Sequence, residues 1–134
     1  MKINKLYVVV LNLIIVVALT ACSTQNLSSD DIKTANPTAE SFLSEKPEAD
    51  IFVKGNIVYK NAEQIDWIQD TSFTLGEKVM TIKEVSNEGN NFKHGTASKL
   101  SVGTEIFELE KKNGHLLIAL VNEEKIPYIG LIEG

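Results

Sequence analysis

Three kinds of side chain in this sequence could do chemistry: one thiol, two imidazoles and a surplus of carboxylates. Cys22 is the only cysteine in 134 residues. It cannot close an internal disulfide, and a lone thiol outside a cell is a liability. Its position carries more information. It directly follows Leu19-Thr20-Ala21, at the end of an apolar run, with leucine three places before it. Cleavage before a cysteine so placed makes it the first residue of the mature chain, and its sulfur becomes a thioether to a diacylglyceryl group. One acyl chain anchors only marginally, whereas two hold stably. Lipidation of Cys22, with acyl chains such as palmitate, is the expected modification.

The imidazoles are His94 and His115. A metal site would have to combine them with Asp or Glu, since no thiol is free. Both sit in turn-like contexts, Lys93-His94-Gly95 and Gly114-His115, without the close spacing of a helical zinc motif. Exposed loop histidines explain them better, and no metal is expected.

Among the carboxylates, Asp66 with Asp70, or Glu105 with Glu108, has the residue types of an acid–base pair. Eighteen acids in the chain produce such spacings by chance, and on a strand Glu108 and Glu110 point one way and mark a solvated face. No glycine-framed serine and no H-E-x-x-H occurs. Ser98-Lys99 places its lysine too close to imitate S-x-x-K. Gly95 to Leu100 and Val102-Gly103-Thr104 read either as a ligand-presenting loop or, preferably, as a crossover whose Leu100 and Val102 plug a barrel end. Tyr59, Trp67, Phe107 and Tyr128 could line a groove, but aromatics at strand spacing more often fill a core. No catalytic residue and no cofactor are expected.

The elements must position these groups. Lys2 and Lys5 precede an apolar stretch from Leu6 to Leu19, the layout of a cleaved leader. Leu6 to Ala21 is 16 residues, short of the ~20 of a spanning helix. Residues 1–21 are therefore read as a signal peptide. Its removal leaves 113 residues with 11 Lys and 18 Asp plus Glu, a net charge of −7 and no Arg. An acidic chain without guanidinium groups is a poor nucleic-acid binder, and it would stand off anionic headgroups.

Residues 22–49, rich in Ser, Thr, Asn, Glu and Pro, read as a flexible tether. Phe42-Leu43 could pack as a short helix, but a mobile linker is the preferred reading there too. Residues 50–134 read as one small β-rich domain. Gly55-Asn56 and Asn113-Gly114 read as two-residue hairpin turns, the second of type I′. Leu116 to Val121, apolar on both faces, reads as a central buried strand within a C-terminal meander. Pro127 places the start of the last strand at an edge or bulge. Lys78 to Val85 reads as a further strand. Asn61, with Gln64 three places on, reads as the cap of a helix over Ala62–Gln69; Ile65 and Trp67 would also fit a strand. The expected fold is mostly β (α+β): a small antiparallel sheet or compact β-barrel with one short helix, behind a signal peptide and tether.

The leader ending in Leu19-Thr20-Ala21-Cys22 resembles the bacterial lipoprotein signal class. Ile57-Val58-Tyr59-Lys60-Asn61-Ala62, Leu75-Gly76-Glu77, Val102-Gly103-Thr104-Glu105-Ile106-Phe107 and Ile126-Pro127-Tyr128 make the domain similar to a group of small uncharacterised lipoproteins of Bacillus-type bacteria. Lys-, Asn- and Ile-rich usage agrees with a low-GC Gram-positive source. The resemblance implies an extracytoplasmic position at the cell membrane and a β-rich form, and carries no active site to transfer. The expected role is a membrane-anchored interaction domain with an envelope protein as partner. The alternatives are a small cell-envelope hydrolase and an inhibitor or immunity lipoprotein.

Overall fold

Alternating side chains and tight turns make hairpins the building unit. In a computed structural model that describes residues 35–133, β1 (Ile51–Lys54) and β2 (Ile57–Asn61) pair with Phe52 opposite Tyr59 and Lys54 opposite Ile57. Residues 1–21, Cys22 and the first part of the expected tether lie outside the described residues. Gly55 in the connecting turn has φ +63° and Asn56 stays out of the positive region, the pattern of a type II′ turn. The remaining strands are β3 (Leu75–Thr81), β4 (Glu84–Val85), β5 (Thr96–Ala97), β6 (Glu105–Leu109), β7 (Leu116–Val121) and β8 (Glu124–Gly130). They lie in the order β3-β6-β7-β8-β2-β1-β5-β4, antiparallel throughout except for β4 with β5. The C-terminal meander is present as β6-β7-β8, and Leu116 to Ala119 are buried at its centre.

The two outer strands of this sheet are consecutive in the chain. Only Ile82 and Lys83 separate β3 from β4. The Ile82 amide donates to Thr104 O (2.9 Å), on the β6 side, and the Lys83 amide donates to Gly95 O (2.8 Å), on the β5 side. One continuous segment thus joins both edges, and the sheet curls into a barrel. Closure removes most of the unpaired edge that an open sheet would expose.

Period-two alternation sorts the apolar side chains into layers. Phe52, Tyr59, Met80, Ile82, Ile106, Leu117, Ala119 and Tyr128 point inward and form the interior cluster. Their neighbours Ile51, Val53 and Val58 point outward and are covered by α1 (Ala39–Glu45) through Ala39 and Leu43. Leu109, Leu116 and Ile118 are covered by Ala62 and by Ile68 of α2 (Asp66–Gln69). Strands apolar on both faces are explained by these outer covers rather than by a second sheet.

Four expectations change. The type I′ turn sits at Asn122-Glu123, with φ +49° and +70°, between the paired residues Val121 and Glu124. Asn113-Gly114 instead lies in a longer loop in which Gly114 alone has positive φ. Pro127 neither starts its strand nor sits at a sheet edge: β8 begins at Glu124 and runs between β7 and β2. Proline is tolerated there because its carbonyl accepts from Ala62 N–H (2.9 Å), so its nitrogen faces the point where pairing with β2 ends.

The third change is the helix after β2. It covers only Asp66–Gln69 of the expected Ala62–Gln69. Asn61 ends β2, and its Oδ1 accepts from Glu63 N–H at 2.9 Å, an Asx turn rather than a helix cap. The capping box belongs to α1, where Thr38 and Ser41 exchange side chain–backbone bonds of 3.1 Å in both directions. The fourth change follows from it. Residues 39–45, expected as tether, form a helix seated on β1 and β2, so the ordered domain begins well before Asp50. Gly89 makes that seat possible, since a Cβ there would lie 2.4 Å from Glu40 Cα.

Candidate functional site

The barrel interior is full. Phe52 stacks on Tyr59 at 5.2 Å between ring centroids and 7° between planes, and meets Tyr128 at 5.0 Å and 53°. Tyr59 and Tyr128 are therefore core aromatics, and Phe107 is half-buried. Trp67 on α2 is not core; it is 51 % exposed. An interior packed with rings leaves the outer faces and the barrel ends as places for recognition.

One outer face carries a groove of about 650 Å³ between α1 and the C-terminal segment. Phe42, Ile65, Ile129, Leu131 and Ile132 give it an apolar lining, with Glu45, Lys60 and Glu133 among its charged residues. Ile132 is 37 % exposed. The segment is held in place by Leu131 N–H on Val58 O (2.8 Å) and by Glu133 N–H on Asn36 Oδ1 (3.0 Å). Sequence reasoning missed this groove because half of it comes from α1. The available signal was the i, i+4 pair Ala39 and Leu43 behind Thr38.

Between β1, β2 and β8 lies a polar network. Tyr128 Oη donates to Asp50 Oδ2 at 2.8 Å, and Asn61 Nδ2 lies 3.1 Å from the same oxygen and 2.9 Å from Glu63 Oε2. Burial first, then the charge and hydrogen bond of Asp50, push the Tyr128 phenol far above its ordinary range. Ser98 is buried nearby; its Oγ accepts from Ile51 N–H (2.9 Å) and donates to Ala49 O (2.8 Å). Those bonds give Ser98 a structural task at the β1–β5 junction.

The other sequence candidates are dispersed. His94 Nδ1 accepts from Gly55 N–H at 2.9 Å and so braces the first hairpin. Asp66 is the first residue of α2, Asp70 is its C-cap, and both are exposed. Glu105 pairs with Lys78 at 2.7 Å and Glu108 with Lys112 at 3.2 Å. Three residues apart on a strand, the two glutamates face opposite sides. Glu110 is exposed. Leu100 is buried in the barrel as expected, but Val102 is 62 % exposed and plugs nothing. His115 and Glu108 both line a recess of about 280 Å³ at the barrel end near Gly55-Asn56, together with Tyr59, Lys54 and Lys112. Burial, and then the Glu108 charge, raise the Tyr59 phenol above its ordinary value.

Among the described residues, no three His, Cys, Asp or Glu side chains gather as a metal site, and no helix is long and apolar enough to cross a membrane. No protein-family model, curated protein or solved structure matches the chain.

Proposed function

We propose that this protein is an extracytoplasmic lipoprotein, held on the cell membrane by a diacylated Cys22, whose barrel is a non-enzymatic module for docking an envelope protein. The leader residues and the single cysteine support the anchor. The apolar groove between α1 and the C-terminal segment carries the docking reading. A side-chain-filled barrel leaves recognition to its outer faces and ends, Glu105 and Glu108 are paired with separate lysines, and Asp66 and Asp70 are exposed at α2. The groove offers neighbouring apolar side chains within a charged rim, the layout of a protein contact. Thirteen peptide steps from Cys22 to Ala35 span at most about 45 Å, so the groove would be presented close to the membrane.

Two measurements test the reading. Cys22→Ala should move the protein from the membrane fraction to the soluble fraction with its fold unchanged; a membrane-bound variant refutes the lipid anchor. A photo-crosslinker at Ile132 of the lipidated protein on intact cells should capture one envelope protein, and Phe42→Asp should abolish the capture. Capture that survives Phe42→Asp places the partner elsewhere.

A further inference from the structure

The two ends of the barrel carry different polar groups. Away from the Gly55-Asn56 turn, Asp50 is held by Tyr128 and Asn61, and the neighbouring Met80, Ile82, Leu100, Val121 and Ile126 belong to or pack on the interior cluster. At the turn end, the same inward register carries ionisable groups. Phe52 is inward, so Lys54 is the last inward position of β1; Ile106 is inward, so Glu108 is the last inward position of β6. His115 precedes β7 in the register of inward-facing Leu117. Gly130, opposite Tyr59, holds the corresponding place on β8.

Gly130 lets the wall side chains pack closely. A Cβ there would lie 3.0 Å from His115 Cβ, 3.2 Å from Tyr59 Cε1 and 3.4 Å from Ile57 Cγ2. A larger residue would displace the side chains that line the mouth. The Tyr59 ring, fixed by its stack on Phe52, forms a rigid floor. Lys54 and Glu108 stand on opposite walls, because β7, β8 and β2 separate β6 from β1 on one side and β3, β4 and β5 on the other. Glu108 is only 30 % exposed, and its partner Lys112 is 79 % exposed on the loop. Among the described residues, Lys54 makes no ion pair.

We infer that this mouth is a binding site for a small zwitterion of the α-amino-acid class. The ligand carboxylate lies on Lys54, its ammonium on Glu108, and its body over the Tyr59 ring. The ammonium takes over the carboxylate that Lys112 holds in the free protein. A singly charged molecule satisfies only one wall and leaves the other charge as it was. Charge-assisted hydrogen bonds at both ends supply the selectivity. This site adjoins the groove at Gly130 but uses different side chains, and it stands whether or not the groove docks a protein.

The test is a titration of the full-length ¹⁵N-labelled protein in detergent micelles with L-alanine, with acetate and methylammonium as single-charge probes. L-Alanine should shift the Gly114, His115 and Gly130 amides saturably by about 50 mM, a range that reaches weak millimolar affinities. Neither single-charge probe should reproduce those shifts. Lys54→Met and Glu108→Gln should each weaken binding at least about ten-fold, with the amides of Ile106 and Ala119 unmoved as proof of folding. Glu124→Gln, at the far end of the barrel, should bind as the parent does. Unsaturated shifts, or a Lys54→Met variant that binds L-alanine unchanged, would overturn the site. Equal shifts from acetate alone would overturn the zwitterion and leave an anion site.

Discussion

Tyr128 Oη donates a 2.8 Å hydrogen bond to Asp50 Oδ2, tying the middle of β8 to the residue that precedes β1. The two are 78 positions apart in sequence, and Tyr128 is fully buried. Asp50 Oδ1 is also buried and has no partner among the described residues, so Oδ2 carries the whole connection. Tyr128→Phe should cost about 2 kcal/mol, the worth of a buried hydrogen bond to a charged acceptor. Denaturant unfolding checks it.

The same pair sets a pH limit. The ordinary tyrosine pKa is 10.0, and the folded state raises that of Tyr128 through burial and through Asp50. A group raised on folding contributes fully below its unfolded pKa and loses that contribution as pH rises towards its folded pKa. Stability should therefore fall from about pH 10 upward, and the Tyr128 contribution should be full and independent of pH near neutrality. Tyr59, raised in the same direction, adds to the fall. Tyr128→Phe should flatten the alkaline limb of a stability–pH curve; an unchanged limb would remove Tyr128 as its cause.

Helix α1 is part of the folded unit. Leu43 is 6 % exposed against Ile51, Val53 and Val58. Leu43→Ala should destabilise by about 2–4 kcal/mol, the range for a truncated core leucine. A chain beginning at Asp50 would uncover the outer face of β1 and β2 and should lose cooperative unfolding or aggregate. A chain beginning at Ala35 should unfold in one transition. Calorimetry on the two chains distinguishes the cases.

Gly89 and Glu40 meet too closely for any side chain between them. Gly89→Ala places its Cβ 2.4 Å from Glu40 Cα, and backbone must move on one side. The expected cost is about 1–3 kcal/mol, with faster amide exchange in α1 and little change in β6-β7-β8. Uniform acceleration across the barrel would contradict a local seat.

Glu123 occupies a left-handed position at φ +70° in the β7–β8 turn. Glu123→Gly should stabilise the protein by up to about 1 kcal/mol, because glycine adopts that conformation without the cost other residues bear. Gly114→Ala, at φ +56° with open space around it, should cost a similar amount. A thermal shift in the opposite direction at either site would show that contacts outweigh backbone strain.

The strands were legible because burial imposes a two-residue period that local sequence must obey. Leu116 to Val121 could be read as central because both of its faces are apolar. The same feature hid what covers it. An apolar outer face demands a cover but does not say which segment supplies it, and Ala39–Glu45 looked like tether because it lies in a stretch rich in Ser, Thr, Asn, Glu and Pro. Positive φ was misplaced for a related reason. Asn-Gly is the favoured pair for a type I′ turn, but strand register, fixed by long-range pairing, put that turn at Asn122-Glu123.

By itself the sequence determined the leader pattern, the lone cysteine, the acidic character, the β-rich class and the C-terminal meander, since each depends on composition or on residues close in the chain. Only the tertiary structure decided that the sheet curls, that α1 belongs to the domain, and that Lys54, Glu108, His115 and Tyr59 share one mouth. Those facts depend on which strands become neighbours. Adjacency across tens of residues is set by the combined packing of the whole barrel, which no local period encodes.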